Sequence, residues 1–409
     1  MQAQETGSQG RATLAAVGSF VLVFVLIAIV ALINAPIRLG PDVMASVGNY
    51  LAEVRNSAIP FMLIVGALAA ALGVVVAVVV RREWPNSRRR RALITGYSFL
   101  APYLLITLTF TVGVIMFALY IAFTEYDIFT EPLWIGLGNF GKAFTQKDFW
   151  QSLYNVLWYA LIVTTLQTAI AIALAVLLNT PMRLKQFFRT IFYAPSVTSS
   201  VVITLIFMWL YLKTGYVNLL FDKVLGLVGI QWKAIDWLND PRGLIQLIVQ
   251  AFGSNIPSKQ WYLRGPSITW MCLMFQNIFT TAPTFMIMFL AALQDINPVL
   301  YEAASIDGAN GWQQFRKITL PMLRPIILMV IVLGTIGTLQ IFDQVYLATS
   351  GGPLGTTMAP VFLIYTEALG KQGAIQMGYA SAIAFILAVL IFFFTFVQRR
   401  VIEHGTEQY

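Results

Sequence analysis

Charged residues are scarce in this 409-residue chain: Asp, Glu, Lys and Arg make up 11% of it, against 58% hydrophobic residues and a mean hydropathy of +0.75. A soluble domain carries about 25% charged residues, so the composition excludes a soluble globule and describes a protein that crosses a membrane several times. Cysteine occurs once, at Cys272 inside an apolar run, and histidine once, at His404 near the C-terminus. Neither a disulfide framework nor a clustered metal site can be built from them. No Gly-x-x-x-x-Gly-Lys-Ser/Thr phosphate loop occurs, so any ATP hydrolysis belongs to another chain. A membrane enzyme would need a convergent nucleophile, base or metal, which one tail histidine and one apolar-run cysteine do not supply.

What the chain has in quantity is long apolar runs. They lie at roughly 14–33, 58–80, 97–123, 153–178, 191–212, 268–292, 326–347 and 374–397, and each is long enough to cross a bilayer as a helix. The expectation is an all-α membrane protein of eight transmembrane helices, the first run being read as a retained anchor and not a cleaved signal. Placing both termini in the cytoplasm gives the inner segments roughly twice the Lys and Arg density of the outer ones. The deciding segment is Arg81-Arg82-Glu83-Trp84-Pro85-Asn86-Ser87-Arg88-Arg89-Arg90-Arg91. Beside a membrane span such a run sets topology and touches anionic membrane lipid; no nucleic acid is expected. The net charge of +8 has the same origin.

Between the sixth and seventh runs lies a polar hairpin. Asn297 can cap a helix that Pro298 opens, since its side chain accepts from a free backbone N–H and proline has no donor to lose there. That helix should stop at Gly308, which tolerates the left-handed conformation that turns the chain. Asn310 can then cap a second short helix carrying Trp312, Phe315 and Ile318. The stretch contains Glu302-Ala303-Ala304, then Ser305-Ile306-Asp307-Gly308, and closes on Ile318-Thr319-Leu320-Pro321. This spacing resembles the EAA loop of ABC-importer permease subunits. The resemblance implies that 293–325 docks into a cleft of a cytoplasmic ATPase and carries its motion into the membrane, with Glu302, Ala303, Ala304, Asp307, Gly308, Ile318, Leu320 and Pro321 as the coupling residues.

Weaker marks point the same way. Thr124-Glu125-Tyr126-Asp127 with Gly136-Leu137-Gly138-Asn139-Phe140, the basic turn Arg183-Leu184-Lys185-Gln186-Phe187-Phe188-Arg189-Thr190 before Pro195, and Gln340-Ile341-Phe342-Asp343 with Thr349-Ser350-Gly351-Gly352-Pro353 resemble segments of the carbohydrate branch of that family. The resemblance implies a six-helix type I importer core at 97–397, preceded at 1–96 by two extra helices and a basic cytoplasmic linker, as in the larger partner of a maltose-type permease pair; 398–409 is then a cytoplasmic tail. It also implies a bacterial or archaeal cytoplasmic membrane, a second permease subunit, two ABC ATPase subunits or a homodimer of one, and an extracytoplasmic solute-binding protein. No cofactor is expected in this chain, ATP and Mg being used by the partner ATPase. One feature departs from that subunit: the loop 124–152 is short, and the long loop is 213–267. The latter carries Trp232, Trp237, Trp261, Tyr262 and a possible short helix at 244–250. Two readings stand open for it, an element lying on the membrane and a docking surface for the binding protein.

The solute path is sought among polar side chains inside spans, which are costly in lipid and so face a cavity or another helix. No Lys or Arg falls within the spans as drawn, and the one acid is Asp343. Asn277, Thr281 and Thr284 repeat on one helical face, with Thr280 beside them and Pro283 loosening the backbone; Gln340 and Asp343 are expected to share a face on the next span. Amides and hydroxyls suit a neutral sugar or similar polyol, because they donate and accept without a counter-charge. Hydrogen bonding between helices is the competing role for the same groups. The expected function is translocation of such a sugar by a non-catalytic permease subunit. A permease for another small polar solute is the alternative, and an ion-coupled secondary transporter, which would want intramembrane carboxylates, is the rival of a different class.

Overall fold

The computed structural model describes residues 87–180, 183–257, 260–370 and 373–403. The runs 14–33 and 58–80, most of the basic segment 81–91, and His404 lie outside the described residues. The chain divides into two units, Met1–Tyr120 and Ile121–Tyr409. In the first, helix α1 (Ser87–Ile106) passes through a π-helical turn (Thr107–Gly113) into α2 (Val114–Ala122). Thr95–Leu104 and Thr107–Ala122 meet at 41°. Pro102 accounts for part of the bend, since it leaves the Ser98 carbonyl without its helical donor, and the π turn for the rest.

The second unit opens on a small hairpin, β1 (Thr124–Glu125) antiparallel to β2 (Leu133–Trp134), followed by α3 (Gly138–Thr145). Buried Asn139 donates to the Ala122 and Thr124 carbonyls at 3.0 and 2.8 Å, fastening the start of α3 to the entry of the hairpin. The bundle is built on α4 (Lys147–Asn179), whose 33 residues span about 50 Å, well over the roughly 30 Å of a bilayer core. After α5 (Lys185–Val197), α6 (Ser200–Leu210), α7 (Tyr216–Gly226) and α8 (Leu244–Ala251) comes α9 (Ile268–Gln294), which packs along α4. Ser267 starts α9 by accepting from Trp270 N at 3.0 Å. The polar hairpin and α13 (Arg324–Leu339), α14 (Pro360–Ala368) and α15 (Met377–Glu403) complete the unit.

Among the described residues, three helices are long and apolar enough to cross a membrane, Lys147–Asn179, Ile268–Gln294 and Met377–Arg400; six spans result if each bent pair counts as one. Besides the bent run 97–123, two of the expected single helices are broken. The run 191–212 turns by 95° between α5 and α6. Pro195 opens the helix ladder there, and Ser196 and Thr198 donate back to the Tyr193 and Ala194 carbonyls at 2.7 and 3.0 Å, offering the backbone an alternative to the helix. The run 326–347 is helical only to Leu339. Ile341 and Val345 are drawn into the core with Leu273 and Met274, while Phe342 stacks on Tyr346 and meets Tyr365, and this packing outweighs continued helix. A π turn, Val345–Thr349, follows, so Gln340 and Asp343 do not share a face of one helix.

Lipid tails are as apolar as leucine, so shape and polar contacts decide how such helices pack. One core cluster joins Tyr159, Trp270, Leu273, Leu339 and Phe362; a second joins Ala171, Ala175, Met286, Phe289 and Leu323. Trp270 is wholly buried and satisfies its indole N–H on the Asn155 carbonyl at 2.8 Å.

Candidate functional site

The hairpin has the local geometry its residues dictate. Asn297 accepts from Val299 N at 3.0 Å and opens α10 (Pro298–Ile306) with Pro298 in its first turn. Gly308 turns the chain at φ 81°, a conformation that costs other residues about 1–2 kcal/mol. Asn310 caps α11 (Gly311–Gln314) reciprocally: it accepts from Gln313 N at 2.9 Å, and the Gln313 side chain accepts from Asn310 N at 2.8 Å. A π turn (Phe315–Thr319) and α12 (Leu320–Met322) carry the rod to a 66° bend into α13.

Side chains tie the two arms together. Gln314 donates to Ser305 Oγ at 2.9 Å, and the Tyr301 and Thr319 hydroxyls lie 2.9 Å apart. Leu323, fully buried against Met286, Phe289 and Leu293, anchors the hairpin to the bundle. Glu302, Ala303, Asp307 and Gly308 are exposed at the tip, while Ala304, Ile318, Leu320 and Pro321 are half-buried beneath it. Beside the acids stand Ile306, 87% exposed, and Trp312, 68% exposed. Apolar groups presented this openly, next to carboxylates, form a surface suited to insertion into a protein cleft.

The candidate path residues separate into two groups. Thr281 is half-buried and donates to Gln167 Oε1 on α4 at 2.6 Å and to the Asn277 carbonyl at 2.8 Å, so it serves as a contact between helices. Thr280 bonds back to the Gln276 and Asn277 carbonyls. Asn277 is half-buried, and its amide nitrogen has no hydrogen-bond partner among the described residues. Thr284 is exposed on the same face. Gln340 and Asp343, both exposed, stand on the segment beyond α13. Leu339, Ile341 and Val345 pack with Leu273, Met274 and Ile278, which sets that segment beside the half of α9 that carries Asn277.

The structure adds polar groups that periodicity did not single out. Gln167 and Gln276 are each 1% exposed. Gln276 donates to Thr204 Oγ1 on α6 at 2.6 Å, the Thr164 and Thr338 hydroxyls lie 3.3 Å apart, and Gln398 on α15 donates to Thr335 Oγ1 at 2.8 Å. Thr164, Thr168, Thr335 and Gln398 also line a groove of about 460 Å³ along α4, α13 and α15. A lone glutamine inside an apolar run was the available signal for Gln167. At the other end of α4, a smaller polar hollow of about 210 Å³ holds Lys142, Asp148, Glu367 and Gln376. Lys142 donates to Gln376 Oε1 and lies 4.5 Å from the Tyr379 ring centre. Burial raises the Glu367 carboxyl above the usual range, with Lys142 opposing and Asp148 adding to the shift. Among the described residues no cluster of His, Cys, Asp and Glu has metal-binding geometry.

Comparison with known proteins matches residues 167–404 to the family described as binding-protein-dependent transport system inner membrane component. The chain is 34% identical to the probable ABC transporter permease protein YesP of Bacillus subtilis over 75% of its own length and 90% of that protein's. It is 30% identical to the lactose transport system permease protein LacF of Rhizobium radiobacter, over 76% and 95% of the two chains. Identity is 27% with the trehalose/maltose transport system permease protein MalF of Thermococcus litoralis, over 75% and 92%. In fold it is similar to a chain of a bacterial alginate ABC transporter solved in complex with an alginate pentasaccharide-bound periplasmic protein, with TM-score 0.62 and 24% identity over 80% of this chain and 99% of that one. The family match covers more than half of the chain and takes in the polar hairpin, α9, α13 and α4 from Gln167 onward, and the protein belongs to the binding-protein-dependent transport system inner membrane component family.

Proposed function

We propose that this chain is the non-catalytic permease subunit of an ATP-driven importer that moves a neutral sugar, an oligosaccharide, disaccharide or similar polyol, across the cytoplasmic membrane. The observation that carries the reading is the hairpin: a doubly capped, glycine-turned helix pair with exposed Glu302, Asp307, Ile306 and Trp312, braced on the two helices that border the polar interior. In this reading the hairpin docks on an ABC ATPase, a second permease completes the pathway, and an extracytoplasmic solute-binding protein delivers cargo. Both termini and residues 293–325 lie in the cytoplasm, and 213–267 faces outward. Six core spans follow two N-terminal ones.

The sugar assignment draws support from relatives named for lactose and for trehalose and maltose. It also rests on the uncharged, donor-and-acceptor character of Asn277, Thr284 and Gln340. Alternating access moves the path between the two sides as ATP binding shifts the hairpin. The test is reconstitution of the complex with its ATPase, second permease and binding protein in proteoliposomes. Uptake of neutral oligosaccharides that requires ATP and the binding protein is expected. Exclusive uptake of an acidic saccharide, or uptake driven by an ion gradient without ATP, would refute the proposal.

A further inference from the structure

The segment after α6 presents an apolar surface that the bundle does not cover. Helix α7 turns Val217 and Asn218 inward, Val217 packing toward Phe207 and Tyr211, while Phe221, itself exposed, stacks on Trp232 at 4.8 Å between ring centres. Asn218 is 4% exposed and fixes the helix in this orientation. Its amide nitrogen donates to the Lys213 and Ile235 carbonyls at 2.9 and 2.8 Å, and its oxygen accepts from Trp232 Nε1 and Ile235 N, both at 3.1 Å. Held this way, α7 cannot roll its other side inward. That side carries Leu219, Leu220, Val224 and, just beyond the helix, Leu227 and Val228, the last two 88% and 73% exposed.

We propose that α7 and the turn after it lie in the membrane–water interface, with this apolar side seated among lipid chains. Two observations select lipid as the occupant. First, the apolar side continues that of α6, a helix of the membrane bundle: Val201, Val202, Leu205, Ile206 and Trp209 are exposed along it, and Trp209 meets Tyr216 edge-on at 5.1 Å, joining the two surfaces through an aromatic pair of the kind that marks a headgroup boundary. Second, the stretch from 213 to 236 carries Lys213, Lys223 and Lys233 against Asp222 and Asp236, so cations outnumber acids along it and suit phospholipid phosphate. Lys223 lies on the apolar side itself, where its aliphatic stem can run along the surface and its ammonium reach the headgroups. A short helix with one apolar side, directly joined to a span, binds an interface by burying that side below the headgroups. Trp232 and Trp237, packed with Phe221 into a small aromatic core, then support the helix from the water side.

Spin labels placed singly at Leu220→Cys and Leu227→Cys, in a Cys272→Ala background, test this in the complete complex reconstituted in phospholipid nanodiscs. Glu131→Cys, exposed in the turn of the β1–β2 hairpin, is the aqueous reference. Collisions with oxygen should be several-fold more frequent at Leu220 and Leu227 than at the reference, and collisions with a water-soluble nickel chelate several-fold rarer. Val228→Cys repeats the measurement at a position with no inward contact to lose. Nickel access equal to the reference would overturn the proposal, showing a water-exposed helix. Shielding from both probes that is lifted when the binding protein or the second permease is omitted would also overturn it, assigning the surface to that protein. The readout is position and not transport, so it stands or falls apart from the identity of the cargo.

Discussion

Gln167 and Gly334 meet across the interface of α4 and α13: the Gln167 amide nitrogen lies 2.4 Å from where a Cβ on residue 334 would sit, too close for one to fit without a shift. The same side chain accepts from Thr281 on α9, so one buried amide touches both the helix that enters the polar hairpin and the helix that leaves it. Gly334→Ala should push α4 and α13 apart at a cost of about 1–3 kcal/mol, the range for overpacking a tight core. A lower melting temperature of the purified complex checks this. Gln167→Ala should recover most of the loss in the Gly334→Ala background while changing little alone, since a hydrogen bond between membrane helices contributes on average only about 0.6 kcal/mol. Absence of such rescue would mean that the amide does not fill the notch.

The hairpin prediction rests on charge and backbone geometry. Glu302→Lys reverses an exposed charge at the proposed docking tip, and Gly308→Pro cannot adopt the φ of 81° found there. Both variants should reach the membrane in normal amount, because Leu323 and the Tyr301–Thr319 contact that root the hairpin are untouched. Transport should fall out of proportion to ATP hydrolysis. Normal transport per ATP hydrolysed, with normal solute stimulation of hydrolysis, in both reconstituted variants would refute the coupling role.

These contrasts show why some features could be read from sequence and others could not. The caps at Asn297 and Asn310 and the turn at Gly308 depend on residues within four positions of one another, so the chain itself states them. The end of α13 does not work that way. Nothing local stops a helix at Leu339; Ile341, Phe342 and Val345 leave it because partners over 60 residues away in sequence, Leu273 and Met274 among them, draw them into the core. The break between α5 and α6 is intermediate, since Pro195 and the run of Ser and Thr after it announce disruption without its 95° angle. Gln167 is hidden for a third reason: periodicity marks polar residues recurring on one face, and a single amide whose partners are on other helices has none.

Topology can be read with impermeant maleimide on sealed cells in the Cys272→Ala background. Arg316→Cys, exposed on the hairpin, should label only after permeabilisation, and Lys233→Cys, exposed in the long loop, should label from outside. External labelling of Arg316→Cys would invert the proposed orientation.

The solute path yields the sharpest separation of roles, because its candidate residues differ in what already engages them. Thr281 is committed to Gln167, so Thr281→Val should affect assembly more than affinity. The Asn277 oxygen accepts from Thr281 at 3.4 Å, and its amide nitrogen, without a partner among the described residues, can donate to a sugar hydroxyl one turn from that contact. If it does so, Asn277→Ala leaves a sugar group desolvated without a partner, at about 1–3 kcal/mol, or roughly five- to a hundredfold in apparent affinity. Assembled complex should be unchanged, and Gln340→Ala should behave likewise but more weakly. A structural Asn277 would give the reverse, with less complex and normal transport per complex. Asp343 discriminates between cargo classes in the same assay. It is exposed on the segment beside the Asn277 half of α9, outside any helix face shared with Gln340. A neutral sugar needs no counter-charge, so Asp343→Asn should retain most uptake; loss of uptake there with Asn277→Ala unaffected would point to a cation and away from a polyol. Solute-specific uptake normalised to complex, measured for these variants together, therefore tests the path and the charge class of the cargo at once.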